Sequence, residues 1–75
     1  MTYYKVVAEN HDGSHKVAKV TRDVMASLVF GFRCLQDGVQ TKRYKEVAES
    51  VGLSWLNVHK MLFINMYTGD RLEIA

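Results

Sequence analysis

The sequence predicts a single α+β domain, residues 1–75, in which three helices form the core and a small antiparallel sheet packs against them. Three observations lead to this prediction. Apolar residues recur at spacings of three and four in the stretches 22–36, 42–50 and 54–66, which is the helical period. Two stretches rich in β-branched and aromatic residues lie near the N-terminus. The residues 71–74 alternate between polar and apolar, as a short strand does.

An N-terminal β-hairpin is predicted from the stretches 2–9 and 16–21. Between them, Asp12-Gly13 is a preferred two-residue type I′ turn. If the hairpin closes at this turn, Ala8 lies opposite Val17 in the neighbouring strand. The apolar face of the hairpin then contains Tyr4, Val6, Ala8 and Val17. The strand at 71–74 has no neighbour in sequence with which to pair, so we expect it to join the hairpin as a third strand.

The first helix is predicted to extend from Arg22 to Gln36. Thr21 is its expected N-cap, and Gly38 is the expected stop after its last turn. Gly31 inside this helix costs about 1 kcal/mol relative to alanine, which predicts that another part of the chain approaches the backbone there. Phe30 lies outside the apolar stripe of the helix and remains available for contacts with another molecule.

The second and third helices, over 42–50 and 54–66, are separated by a tight turn at Gly52. Thr41 and Ser54 are their expected N-caps. A small residue, a turn glycine and apolar positions at these spacings resemble the helix-turn-helix of bacterial and phage DNA-binding proteins. The resemblance covers residues 44–62. The residues that carry it are Val47, Ala48, Val51, Gly52, Leu53, Val58 and Met61.

The resemblance implies a small DNA-binding transcriptional regulator with a three-helix helix-turn-helix core, acting on double-stranded DNA as a homodimer. The helix over 54–66 would be its recognition helix. The side chains expected to face the major groove or a partner are Ser54, Trp55, Asn57, His59 and Lys60. Three cations at the start of the preceding helix would contact phosphates: Lys42, Arg43 and Lys45.

A protein-binding module on the same frame is the alternative function. The expected recognition helix has no arginine, and Trp55 near its N-terminal end has the character of a protein–protein hot spot. A phage-encoded inhibitor of a host protein would have these features. The apolar residues Phe30, Phe63 and Ile64 exceed the needs of the predicted core, and they favour a homodimer.

The composition of the chain restricts the classes of partner, compartment and activity that remain. A net charge of +2 permits a polyanionic partner without requiring one. The single Cys34 predicts a reducing, cytoplasmic setting, and no membrane-spanning or signal segment is expected. His11, Asp12 and His15 are a weak metal pattern, since a structural zinc site usually has four ligands. We therefore expect no metal, no cofactor and no catalytic activity.

Overall fold

In a computed structural model, which describes residues 1–75, the chain forms a four-stranded antiparallel sheet with two helices packed on one of its faces. The strand order is β2-β1-β3-β4, so that β1 and β3 are the central strands. The elements are β1 Tyr3–Asn10, β2 His15–Thr21, α1 Arg22–Gln36, α2 Lys42–Ser50, β3 Val58–Asn65 and β4 Arg71–Ile74.

The predicted three-helix helix-turn-helix core is wrong, because residues 54–66 form no helix. Residues 54–57 lie in a turn region, and the segment that follows is strand β3. Val58, Met61 and Leu62 have helical spacing, but the run also contains Phe63 and Ile64 and is apolar on both of its faces. A strand in the middle of a sheet has this composition, and periodicity alone does not distinguish it from a buried helix.

The hairpin is confirmed, but its predicted register is wrong by one residue. Ala8 pairs with Lys16 rather than Val17, and Val17 pairs with Val7. The connection has three residues between Asn10 and Ser14, closed by a bond from the Asn10 N–H to the Ser14 carbonyl at 2.8 Å. Gly13 takes a φ of +87° in this loop, as in three-residue hairpins with a left-handed residue. The one-residue shift moves Val17 to the opposite face of the sheet, where it is exposed.

Both remaining helices have the predicted bounds and caps. The hydroxyl of Thr21 accepts a bond from the Val24 N–H at 3.3 Å, and that of Thr41 accepts one from the Tyr44 N–H at 3.2 Å. The predicted close approach at Gly31 is also confirmed. The buried ring of Tyr44 lies directly against the Gly31 backbone and brings the two helices together.

The core lies between the helices and the inner face of the sheet. Phe63 belongs to this core, so its predicted availability for a dimer contact is wrong. Strand β4 pairs with β3 rather than with the N-terminal hairpin, which gives the sheet four strands instead of three. No helix of the structure combines the length and the apolar character needed to cross a membrane. The buried residues are Val6, Ala8, Val20, Leu28, Phe32, Tyr44, Val47, Ala48, Leu53, Val58, Met61, Phe63 and Ile74.

Candidate nucleic-acid interface

The outer face of the sheet, which points away from the helices, is covered by no other element. Side chains alternate between the two faces along each strand, so the residues between the buried positions of a strand point outward. In β1 the buried positions are Val6 and Ala8, and Lys5 and Val7 therefore face outward. Cross-strand pairing aligns such outward residues into rows that run across the sheet.

One of these rows is cationic. Lys5 lies directly opposite Lys19 on one side and opposite Ile64 on the other, and Ile64 lies opposite Arg71. We call Lys19, Lys5 and Arg71 the cation row. All three side chains are exposed, and none forms an ion pair in the structure. Like charges directly opposite each other on a sheet destabilise it. The row therefore has a folding cost that an anionic ligand would offset.

The next row is apolar and consists of Val17, Val7 and Leu62 in direct register. Val17 is 53% exposed, and the other two are half-buried. Ile64, which lies between Lys5 and Arg71, adjoins this apolar row along β3. The outer face thus combines a narrow apolar row with positive charge beside it.

Two carboxylates of the strands lie on the outer face. Glu73 is directly opposite Leu62 and continues the apolar row on β4, whereas Glu9 lies one row further from the cation row. Glu9 Oε1 is 3.9 Å from His15 Nε2, and its Oε2 is 3.7 Å from His59 Nε2. Lys60 Nζ lies 3.1 Å from Glu73 Oε1, and this hydrogen-bonded carboxylate raises the pKa of Lys60. Glu73 is thus paired with Lys60, Glu9 has two histidines as neighbours, and neither carboxylate forms an ion pair with the cation row.

Two tyrosines lie at the cationic end of the sheet. Lys19 Nζ lies 4.3 Å from the ring centroid of Tyr3, a cation–π contact that fixes the two side chains relative to each other. Tyr67, in the loop between β3 and β4, is 91% exposed. The backbone of this loop is held by the side chain of Asn65, whose Oδ1 accepts bonds from the N–H groups of Tyr67 and Thr68 at 2.8 and 3.0 Å. A cleft of about 380 Å³ between the tyrosines is lined by Met1, Thr2, Tyr3, Lys19, Met66 and Tyr67.

The predicted phosphate-contacting cluster lies on the other layer of the protein, in the first turn of α2. Lys42, Arg43 and Lys45 are exposed there. Lys42 Nζ lies 3.9 Å from Glu46, and Lys45 Nζ lies 5.6 Å from the ring centroid of Trp55. Lys42 thus has a carboxylate partner within the chain, whereas no cation of the row on the sheet has one; Lys45, like Lys19, lies over an aromatic ring.

The residues predicted for a recognition helix do not share a helix. Ser54, Trp55 and Asn57 lie in the turn region before β3, and His59 and Lys60 belong to β3 itself. Trp55 is half-buried against the core, so it is not a free anchor for a partner. His59 is the extra residue of a bulge, since Glu9 pairs with Lys60 and Asn10 pairs with Val58. The Nδ1 atom of His59 is buried without a hydrogen-bond partner.

Sequence reasoning did not identify the cation row. The signal is present in the hairpin, where Lys5 and Lys19 occupy positions that alternate with the buried Val6 and Val20. It was missed because Arg71 and Ile64 join the row only through the pairing of β3, a segment that the sequence predicts as a helix.

Comparison with known protein families, with curated proteins and with solved structures finds no match for this chain.

Proposed function

We propose that the protein binds nucleic acid through the outer face of its sheet. The observation that carries the proposal is the cation row of Lys19, Lys5 and Arg71, which crosses all four strands without a carboxylate partner. Phosphates bind such unpaired cations with release of counterions. The function class is the one expected from the sequence, but the binding element is the sheet instead of a recognition helix.

The location of the aromatic residues supports the same function. Tyr3 and Tyr67 adjoin the cationic end of the face, and neither Glu9 nor Glu73 forms an ion pair with the cation row. Bases stack on exposed aromatic rings while phosphates follow neighbouring positive charge. The single Cys34, which has no partner for an internal disulfide, favours a reducing compartment, and we place this activity in the cytoplasm. Regulation of transcription is one use of such binding.

The test compares two triple variants with the same change of charge. The first, Lys5→Gln/Lys19→Gln/Arg71→Gln, neutralises the cation row. The second, Lys42→Gln/Arg43→Gln/Lys45→Gln, neutralises the cluster on α2. Each removes two lysines and one arginine, so that the net charge falls by the same amount in both proteins. Any effect of overall charge on affinity is therefore the same in the two variants. A difference in affinity between the two variants then shows which surface contains the binding site.

Binding to a pool of random-sequence DNA and RNA fragments is measured by fluorescence anisotropy at about 50 and about 200 mM salt. We expect the cation-row variant to lose affinity for all fragments and to reduce the salt slope by about two to three units, since each phosphate contact contributes about 0.7–0.9. The α2 variant should bind like wild type. Loss of binding only in the α2 variant would contradict the proposal, as would a wild-type protein that binds no fragment.

A protein-binding module is the second candidate function, and the row of Val17, Val7 and Leu62 favours it. An apolar row on an uncovered sheet face is suited to contact with another protein. In that case Val17→Lys, at an exposed position outside the core, would abolish capture of the partner, whereas the cation-row variant would change mainly the rate of association. Failure of the nucleic-acid test together with this result would support the second function.

A further inference from the structure

The shape of the outer face restricts which nucleic acid it can bind. The cation row crosses three inter-strand spacings from Lys19 on β2 to Arg71 on β4, which is about 14 Å at the usual strand spacing. The major groove of DNA is about 12 Å wide and admits a helix or a two-stranded ribbon. A four-stranded face does not enter it. The outer face of the sheet is therefore not suited to reading the edges of duplex base pairs.

The aromatic residues add a second restriction. Tyr67 exposes 91% of its surface on a loop held by Asn65, and Tyr3 faces the same cleft with Lys19 beside it. Bases in a duplex are stacked on one another, and their faces are not available to a side chain. An unpaired base has both faces free and stacks readily on tyrosine.

On the basis of the proposed function, we infer that the ligand is a single strand of nucleic acid that crosses the strands of the sheet. Its phosphates contact Lys19, Lys5 and Arg71, and one base enters the cleft between Tyr3 and Tyr67. Ile64 in the cation row and the adjacent Val7 provide an apolar surface beneath the sugars and bases. Stacking and phosphate contact discriminate little between base types, so the inference includes only modest sequence preference.

The first experiment compares strandedness. Fluorescein-labelled oligo(dT) and oligo(U) of about 12 nucleotides, within the site sizes of small single-strand-binding domains, are titrated with the full-length chain. The same oligo(dT) annealed to oligo(dA) provides the duplex. We expect both single strands to bind at least about ten-fold more tightly than the duplex, because stacking on one ring alone accounts for about 5-fold to 150-fold in affinity.

The second experiment tests the ring of Tyr67, which is far enough from the core that its replacement leaves folding intact. Tyr67→Leu keeps an apolar side chain without a ring and should weaken single-strand binding by about 5-fold or more. Tyr67→Phe keeps the ring and should bind like wild type. Circular dichroism checks that both variants are folded.

The outcomes separate this inference from the proposed function. Equal affinity for single strand and duplex, with no effect of Tyr67→Leu, would overturn the inference and leave nucleic-acid binding in place. A loss of affinity with Tyr67→Phe as great as with Tyr67→Leu would also overturn it, because the ring would then not be the binding group. Absence of binding to every oligonucleotide would overturn both.

Discussion

The contact between Gly31 and Tyr44 predicts that a helix-favouring substitution will destabilise the protein. A Cβ atom added at Gly31 would lie 2.4 Å from Cβ of Tyr44 and 2.6 Å from its Cγ and Cδ1. Carbon atoms in favourable contact are about 3.5–4.0 Å apart, so the two helices would have to separate by about 1 Å. The Cβ of Tyr44 is attached to the α2 backbone, and no change of its rotamer relieves the overlap.

The expected change in the free energy of unfolding of Gly31→Ala follows from two opposing effects. Alanine is about 1 kcal/mol better than glycine inside a helix, whereas overpacking a well-filled core costs about 1–3 kcal/mol or more. The overlap involves backbone-attached atoms of a residue that is 1% exposed, so we take the upper end of that range. Gly31→Ala should then lower the free energy of unfolding by about 2 kcal/mol. In a domain of this size that corresponds to a melting temperature lower by about 8–16 °C.

Urea unfolding provides the assay. Trp55 is the single tryptophan and packs against the core, so its fluorescence reports the tertiary structure, and circular dichroism reports the helices. The control is Ala26→Gly at an exposed position of the same helix, which should cost about 1 kcal/mol through helix propensity alone. Both opposite substitutions are thus expected to destabilise α1. A gain of stability in Gly31→Ala would refute the described contact between the helices.

Three further predictions concern stability and assembly. Burial raises the pKa of Tyr44 from 10.0 to about 12. The contribution of Tyr44 to stability is therefore fully present below pH 10, and up to about 2 kcal/mol of it is lost as the pH rises to about 12. Tyr44→Phe should remove this alkaline loss in pH-dependent urea unfolding, and an unchanged profile would contradict it. Phe30 is 69% exposed, and we expect light scattering to show a dimer that Phe30→Glu weakens; a wild-type monomer at high concentration would exclude this. Asn65→Ala should cost about 1–2 kcal/mol in urea unfolding, because two N–H groups of the loop lose their acceptor, whereas Thr68→Ala should cost less.

Local signals were sufficient to predict the hairpin and both helices, although not the register of the hairpin. The bounds of α1 and α2 follow from helical periodicity and from the caps Thr21 and Thr41, all of which depend on residues a few positions apart. Gly31 indicated the close contact between helices, although the sequence did not identify Tyr44 as the residue that makes it. The short strand β4 was also predicted from alternation alone.

Most of the errors arose where the answer depends on distant residues, and the hairpin register is the one local exception. Whether the run from Val58 to Asn65 becomes helix or strand is decided by β1, which pairs with it along its length. The hairpin register depended on one residue of loop length, and Asp12-Gly13 is compatible with both lengths. The cation row and the tyrosine cleft combine residues from three strands and a loop, so neither was visible before the sheet order was known.

The central position of β1 affects how the chain folds during synthesis. Its pairing partner β3 lies about fifty residues further along the chain, and long-range pairing of this kind forms slowly. Until β3 has been synthesised, the N-terminal hairpin presents one side of β1 as an open edge of unpaired backbone N–H and C=O groups. An equivalent β3 from another copy has the same register and side chains, so delayed closure favours strand exchange between chains. Refolding yield should therefore fall as protein concentration rises, even though the completed sheet leaves only β2 and the four-residue β4 at its edges.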